Sequence, residues 1–213
     1  MNTPNKITLV RLLLIPVIVF FYLADFIPYA KLVSAVLFVV ACLTDFLDGY
    51  LARKNNQVTV LGKFFDSIAD KVLTMTGLLL IIYPGSASLP VVVPSWLGIA
   101  CVIIILAREF IISALRQIAA ARGKVLAADM GGKIKATAQF VVITLYMFLA
   151  FLLKENILTD GRALDVINFV MMIFLAATTI LTIYSGCSYL IRNRHVFKEE
   201  QAEEKQDKKK EVK

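Results

Sequence analysis

The sequence predicts an all-α, polytopic integral membrane protein with six transmembrane helices. Hydrophobic residues make up 59% of its 213 residues, and the mean hydropathy is +0.76. Charged residues make up only 18%, below the roughly 25% that is usual in soluble domains. Apolar runs recur along the chain, most of them near the roughly 20 helical residues needed to cross about 30 Å of hydrocarbon. A bilayer is therefore the expected solvent.

Six apolar runs define the predicted spans. The first contains Arg11 and Pro16 and lacks a clear small-residue cleavage site, so we interpret it as a retained helix and not as a signal peptide. The second and third border one short polar loop, the fourth ends in a basic segment, and a charged tail follows the sixth. The predicted spans are 7–27, 31–51, 61–83, 92–115, 136–153 and 163–190.

The distribution of Lys and Arg predicts the orientation of these spans. Basic residues are sparse in the connections on one side, where the sequence has only Lys31, Lys154 and Arg162. The other side holds Lys6, Arg11, Arg53, Lys54, Lys63, Arg116, Arg122, Lys124, Lys133, Lys135 and eight more basic residues from Arg192 onward. The positive-inside rule then places both termini at the cytoplasmic face of the cell membrane. We expect one membrane domain over 1–194 and a charged cytoplasmic tail over 195–213.

Several function classes are disfavoured by composition. The basic residues lie on separate loops without an aromatic platform, so no nucleic-acid partner is expected. Cys42, Cys101 and Cys187 lie inside apolar runs without paired spacing, which favours buried side chains over disulfides. His195 is the only histidine, which excludes a zinc site with several histidines.

One motif stands out at the junction of the second and third spans. It reads D-x2-D-G-x2-A-R-x8-G-x3-D-x3-D and consists of Asp45, Asp48, Gly49, Ala52, Arg53, Gly62, Asp66 and Asp70. Eight fixed positions would arise by chance on the order of one time in ten million. Spacings of three and four place each pair of aspartates on one face of a helix. A charged group at membrane depth costs roughly 2.5–3.5 kcal/mol, so four carboxylates here require cations.

The four carboxylates indicate hard divalent cations. Oxygen ligands without His or Cys favour Mg²⁺ or Mn²⁺, and four negative charges balance two such ions. Two metals are a recurrent arrangement for displacement at phosphorus. Gly49, Gly62 and Ala52 would allow close approach of backbone, and Arg53 can clamp a phosphate. The structural alternative is a set of interfacial aspartates paired with Arg53, Lys63 and Lys71.

This motif resembles the signature of the CDP-alcohol phosphatidyltransferase family at every defined position. The resemblance covers residues 4–194 and implies membrane enzymes with six transmembrane helices, in which an alcohol attacks a CDP-linked donor and CMP leaves. It implies that Asp45, Asp48 and Asp66 are metal ligands, and that Asp70 is both a ligand and the general base. It also implies a homodimer and a CDP-lipid site that includes Thr8, Arg11, Gly49, Arg53 and Thr59.

Three further segments are similar to the bacterial branch of this family that uses sn-glycerol 3-phosphate as acceptor. They are PNKITLVRLLLIP at 4–16, REFIISALR at 108–116 and ADMGGKIKAT at 128–137. Arg108 and Arg116 are two helical turns apart and share a face, while Lys133 and Lys135 follow two glycines. These four cations are suited to a dianionic phosphate. The alternative assigns them to topology and to ion pairing with Glu109.

The expected reaction transfers the phosphatidyl group of CDP-diacylglycerol to sn-glycerol 3-phosphate, with Mg²⁺ or Mn²⁺, and yields phosphatidylglycerophosphate and CMP. One alternative is a sibling transferase that uses serine, inositol phosphate or phosphatidylglycerol as acceptor. A cation transporter is a different class. It would need polar residues continuing through the membrane, yet the second and third spans are almost wholly apolar beyond Asp45 and Asp70.

Overall fold

The structure is a computed structural model that describes the backbone of residues 3–54, 60–83, 95–121, 130–158 and 160–193. Side chains are described for 8–44, 65–83, 96–120, 132, 134–158 and 160–193. The predicted charged tail at 195–213 lies outside these ranges, so its separation from the membrane domain stays a prediction.

Six helices make up the described part of the chain, which contains no strand. They are α1 (Thr3–Leu23), α2 (Ala30–Lys54), α3 (Val60–Ile81), α4 (Ser95–Ala121), α5 (Met130–Lys154) and α6 (Gly161–Arg192). Each predicted span overlaps one of these helices, although the first span was predicted to continue to 27 and α1 ends at Leu23, so the all-helical prediction is confirmed for the described residues. Asp160 caps the start of α6, where its carboxylate accepts a hydrogen bond of 3.1 Å from the Arg162 backbone N–H.

Length and apolarity separate these helices into groups. Among the described residues, three segments are long and apolar enough to cross a membrane: Trp96–Ala120, Ile134–Lys154 and Gly161–Arg192. Thr8–Leu23 and Ala30–Thr44 are shorter apolar segments, and α3 carries Asp66, Asp70 and Lys71 up to its middle. This composition fits a membrane protein, and the count of six membrane-spanning helices stays a prediction.

The surface of the bundle is apolar. Trp96 is 69% exposed and Tyr184 is 72% exposed, and many Ile, Leu, Val and Phe side chains also point outward. In α6, the buried hydroxyls of Thr178, Thr179 and Thr182 each donate to the backbone carbonyl four residues earlier. They therefore need no partner from another helix. An apolar exterior with internally satisfied polar groups is suited to lipid.

The main core of the bundle includes buried residues from all six helices, and α2, α3 and α5 pack closely within it. Phe38 of α2 and Phe140 of α5 stack with ring centroids 6.0 Å apart. Gly77 of α3 faces the same region, and a Cβ atom there would come within 2.6 Å of Ile143 Cγ2. The glycine therefore allows close packing of α3. In addition, α1 packs on α2 and α3, and α6 packs on α4 and α5.

One end of the bundle is closed by ion pairs between two connections. We call Asp25, Tyr29, Lys31, Lys154 and Glu155 the closed end. Lys31 Nζ and Lys154 Nζ lie 3.5 Å and 3.3 Å from the Asp25 carboxylate, and the Tyr29 backbone N–H donates to Glu155 at 3.1 Å. The Lys31 side chain is only 5% exposed. These contacts join the α1–α2 connection to the end of α5.

Replacing Asp25 with Ala should destabilise the protein. The buried Lys31 ammonium would lose its carboxylate and would stay close to Lys154, so we expect the free energy of unfolding to fall by about 1–3 kcal/mol. A thermal unfolding midpoint in detergent measures this loss. Asp165, which is exposed on α6, provides a matched control as Asp165→Ala. Equal midpoints for the two variants would show that the closed end contributes no stability.

Candidate functional site

The residues of the acidic motif lie on two consecutive helices. Its first half, from Asp45 to Arg53, occupies the end of α2, and its second half, from Gly62 to Asp70, occupies the start of α3. These two helices contact each other. For six motif positions the structure describes only the backbone, and these are Asp45, Asp48, Gly49, Ala52, Arg53 and Gly62. Thr59 lies outside the described backbone as well.

Asp66 and Asp70 are the described carboxylates of the motif. They are one turn apart on α3, and both are at least partly exposed. Arg11 Nη1 lies 3.5 Å from Asp66 Oδ1, and the Arg11 side chain is completely buried. Thr8 is also buried, one turn before Arg11 on α1. Arg11 therefore ties α1 to α3 at the motif and does not snorkel outward from a helix end.

A pocket opens beside Asp70 where three helices meet. Helix α3 provides Asp70, Lys71, Thr74 and Met75, helix α4 provides Leu106 and Glu109, and helix α5 provides Lys135, Ala136 and Gln139. The empty space, with its open mouth included, is about 350 Å³. Two carboxylates, two ammonium groups and an amide thus surround one concave space.

Glu109 connects two of the predicted cations. Its carboxylate accepts a hydrogen bond from Lys135 Nζ of α5 and lies 3.5 Å from Arg108 Nη1 of its own helix. Lys135 is buried, and the side chains of Arg108 and Glu109 are only 12% and 20% exposed. A buried cation needs a nearby anion, and one carboxylate serves both here. Arg108 and Lys135 thus contact the same carboxylate of the pocket lining, and of the two only Lys135 lines the pocket itself.

The other two predicted cations are placed differently. Arg116 shares a face of α4 with Arg108, but its Nε donates to the Tyr189 hydroxyl at 3.3 Å and its guanidinium lies 5.3 Å from the centre of that ring. Neither Arg116 nor Arg108 is among the residues that line the pocket, but Arg108 contacts the lining residue Glu109. The side chain of Lys133 lies outside the described residues. The structure thus brings two of the four cations together and leaves Arg116 against α6.

Helix α6 holds the arginines of α4, which the sequence did not predict. Arg108 Nη2 donates to Ser185 Oγ at 2.9 Å. A Cβ atom on Gly186 would come within 2.8 Å of Arg108 Cγ, so the glycine makes room for that side chain. Ser185 and Tyr189 are four residues apart and face arginines that are eight apart on α4. The only sign of these contacts in the sequence was the presence of small and polar residues, such as Ser185 and Gly186, inside the last apolar run.

The described carboxylates fit a hard divalent cation in their chemistry. Asp66 and Asp70 offer oxygen ligands on one helical face, and the Asp66 side chain is 49% exposed despite its contact with Arg11. Among the residues with described side chains, no three His, Cys, Asp or Glu side chains lie together in a way that could hold a metal ion. Asp45 and Asp48, which would complete the set, lie outside that part of the chain.

Comparison with known proteins identifies the family. A model of the family described as CDP-alcohol phosphatidyltransferase matches residues 1–184. The chain belongs to this family. Its similarity to CDP-alcohol phosphatidyltransferases extends over nearly its whole length, so the resemblance inferred from the motif is confirmed.

Three curated relatives carry the name CDP-diacylglycerol–glycerol-3-phosphate 3-phosphatidyltransferase. The protein from Bacillus subtilis strain 168 is 36% identical over 209 residues, which cover 92% of this chain and 97% of the relative. The protein from Salmonella typhimurium strain LT2 is 37% identical, with 89% and 93% covered. The protein from Rickettsia felis is 33% identical, with 88% and 93% covered.

Replacing Gly186 with Ala should destabilise the protein through Arg108. The new methyl group would overlap the aliphatic part of that side chain, and overpacking of this kind costs about 1–3 kcal/mol. Gly161, at the start of the same helix, provides the control because a Cβ there meets nothing within 4 Å. We expect Gly186→Ala to lower the thermal unfolding midpoint and Gly161→Ala to leave it unchanged or raise it. A Gly186→Ala midpoint at or above that of wild type would contradict the close packing.

Proposed function

We propose that this chain transfers the phosphatidyl group of CDP-diacylglycerol to sn-glycerol 3-phosphate, releasing CMP and forming phosphatidylglycerophosphate. The observation that carries the proposal is the pocket beside Asp70, where a motif carboxylate meets Lys135 and the carboxylate that pairs with Arg108. The curated relatives described above are named for this reaction, and their similarity covers 88–92% of the chain, which supports the same reaction here.

Asp45, Asp48, Asp66 and Asp70 would hold two divalent cations, Mg²⁺ or Mn²⁺. When bound, these ions supply Lewis-acid neutralisation of the diphosphate and of the departing CMP. The proposed contacts of the CDP-lipid are Thr8, Arg11, Gly49, Arg53 and Thr59. The small residues Ala52 and Gly62 would allow the backbone to approach it closely. The pairing of Arg11 with Asp66 supports this placement, because it brings α1 against the motif.

Asp70 is the proposed general base. It would take the proton of the acceptor hydroxyl as that oxygen forms a bond to the β-phosphorus, while the bond from that phosphorus to the oxygen of CMP breaks. CMP leaves with the bonding electrons, and a phosphodiester remains. Asp70 is exposed in a pocket that also contains Lys135. The carboxylate is thus accessible to a small acceptor held by that cation.

Arg108 and Lys135 are the proposed ligands of the acceptor phosphate, supported by Arg116 and Lys133. Arg108 Nε is buried and has no hydrogen-bond partner among the described residues. Its Nη1 and Nη2 contact Glu109 and Ser185, so a bidentate contact would pair Nε with an Nη group that exchanges its present partner for a phosphate oxygen. Glu109 would keep both cations in place when no phosphate is bound.

The orientation that we propose for the protein in the membrane follows from the nature of its two substrates. All six helices would span the cell membrane, with both termini and the site at the cytoplasmic face, and two chains would form a homodimer. The lipid tails of the donor would stay in the bilayer, while the water-soluble acceptor would reach the pocket from the cytoplasm. The three long apolar helices and the apolar exterior support this arrangement.

An acceptor panel tests the reaction directly. Purified protein in detergent, with CDP-diacylglycerol and Mg²⁺ or Mn²⁺, is assayed for CMP release with each acceptor in turn. We expect release with sn-glycerol 3-phosphate and none after chelation of the metal. Release only with serine, inositol phosphate or phosphatidylglycerol would assign a sibling transferase. Absence of CMP release with every acceptor, together with ion flux after reconstitution into sealed lipid vesicles, would favour a transporter.

Replacing Asp70 with Asn should abolish turnover while binding of CDP-diacylglycerol is largely retained. The amide keeps the shape of the side chain but cannot accept the proton of the acceptor hydroxyl, and general-base catalysis typically contributes about 10²–10⁴-fold in rate. CMP release and a CDP-lipid binding assay measure the two effects. The exposed Asp165 gives the control variant Asp165→Asn. Near-full activity of Asp70→Asn would rule out its role as the base.

Replacing Lys135 or Arg108 with Ala should raise the KM for sn-glycerol 3-phosphate by about tenfold or more, because a charge-assisted contact to the phosphate is lost. The KM for CDP-diacylglycerol should change much less. Steady-state kinetics with each substrate varied in turn measure both values. Arg162→Ala, which removes an exposed cation at the start of α6, serves as the control. Equal increases in both KM values would argue against an acceptor pocket.

A further inference from the structure

A buried amide in the pocket has an unused hydrogen-bond donor. Gln139 is one helical turn after Lys135 on α5 and is only 2% exposed. Its side-chain nitrogen is buried and has no hydrogen-bond partner among the described residues. Leaving a buried donor unsatisfied is costly, so natural proteins retain such groups mainly where they serve another purpose.

The position of Gln139 suggests that purpose. Its side chain lines the same pocket as Asp70 and Lys135. The other nitrogen donors of this lining are ammonium groups that already have a partner, since Lys71 donates to Ser67 and Lys135 donates to Glu109. Each ammonium group has three N–H donors, so Lys135 can also donate to a phosphate. The Thr74 hydroxyl donates to the Asp70 backbone carbonyl. Within the described lining, the Gln139 amide is the uncharged side-chain donor that is still available to a ligand.

We infer that Gln139 is a specificity-determining residue whose amide binds the secondary hydroxyl of a polyol phosphate acceptor. This inference rests on the proposed function. Such an acceptor has three polar parts, which are the phosphate, the attacking hydroxyl and the hydroxyl between them. The cations match the phosphate, and Asp70 matches the attacking hydroxyl. The middle hydroxyl, which is neutral and both donates and accepts, matches a neutral amide.

The remaining lining and the mobility of the amide agree with this pairing. Met75, Leu106 and Ala136 give the pocket apolar surface against which a three-carbon chain can pack. Rotation about the Cγ–Cδ bond of Gln139 exchanges its nitrogen and oxygen, so either can face the ligand. A bound hydroxyl would supply the partner that the amide lacks in the free protein.

The test combines a change in the protein with a change in the acceptor. Gln139→Met keeps the length of the side chain and removes its amide. The second acceptor is 3-hydroxypropyl phosphate, which is sn-glycerol 3-phosphate without its secondary hydroxyl. The control variant is Thr144→Val, because the Thr144 hydroxyl is also buried on α5 without a partner in the described part of the chain, but it does not line the pocket.

We expect wild type to prefer sn-glycerol 3-phosphate over the deoxy acceptor by about tenfold or more in kcat/KM, as a site built to bind a hydroxyl does. Gln139→Met should lower kcat/KM for sn-glycerol 3-phosphate to about the value for the deoxy acceptor, which should itself change less than about threefold. The KM for CDP-diacylglycerol should not change. Thr144→Val should match wild type with both acceptors.

The thermal unfolding midpoint provides a second measurement, because it would fall if Gln139 only stabilised the fold. Removing an unsatisfied buried donor should leave the thermal unfolding midpoint of Gln139→Met at or above that of wild type. Equal losses of kcat/KM with both acceptors, or no loss, would overturn the inference and leave the proposed function standing. Wild type that uses both acceptors equally would overturn it without any variant. Wild type that uses neither acceptor would overturn the proposed function as well.

Discussion

The need to neutralise buried cations at one end of an apolar bundle organises the rest of this structure. Glu109 meets that need for Arg108 on its own helix and for Lys135 on α5. Ser185 of α6 binds the other side of the same arginine. Three helices are thus held together by polar contacts within a mostly hydrophobic protein, and the pocket beside Asp70 forms where α3 meets two of them. Because every buried charge must have a partner, the cations stay in place when no substrate is present.

The two ends of the bundle use charge differently. At the closed end, Asp25 pairs with Lys31 and Lys154, and these contacts join two connections into one unit. At the site end, Asp66 and Asp70 are at least partly exposed, and buried donors on Arg108 and Gln139 lack hydrogen-bond partners among the described residues. The first arrangement is suited to stability. The second retains unused hydrogen-bonding capacity, which is what a binding site for a charged, polyhydroxylated substrate requires.

The helices could be predicted from the sequence because hydrophobic runs and helical backbone largely coincide in a membrane protein. The ends could not. Helix α4 continues to Ala121 although its apolar run was predicted to end at 115, because the residues after Arg116, Gln-Ile-Ala-Ala-Ala, are mostly strong helix formers. The acidic motif and the family were recognisable because their residues are close together in sequence. The pairing of Arg11 with Asp66 and the roles of Ser185 and Gly186 were not predicted, because these partners lie 55 or more residues apart and only the packing of helices brings them together.

We propose that the buried cations are held ready for the phosphate of the acceptor. The most direct measurement is the thermal unfolding midpoint of the protein in detergent with CDP and Mg²⁺, titrated with sn-glycerol 3-phosphate and, in parallel, with glycerol. A ligand that binds only the folded state raises the midpoint as its concentration increases. We expect such a rise with sn-glycerol 3-phosphate, none with glycerol at equal concentration, and loss of the rise in Arg108→Ala. Equal rises with both compounds, or an undiminished rise in Arg108→Ala, would contradict it.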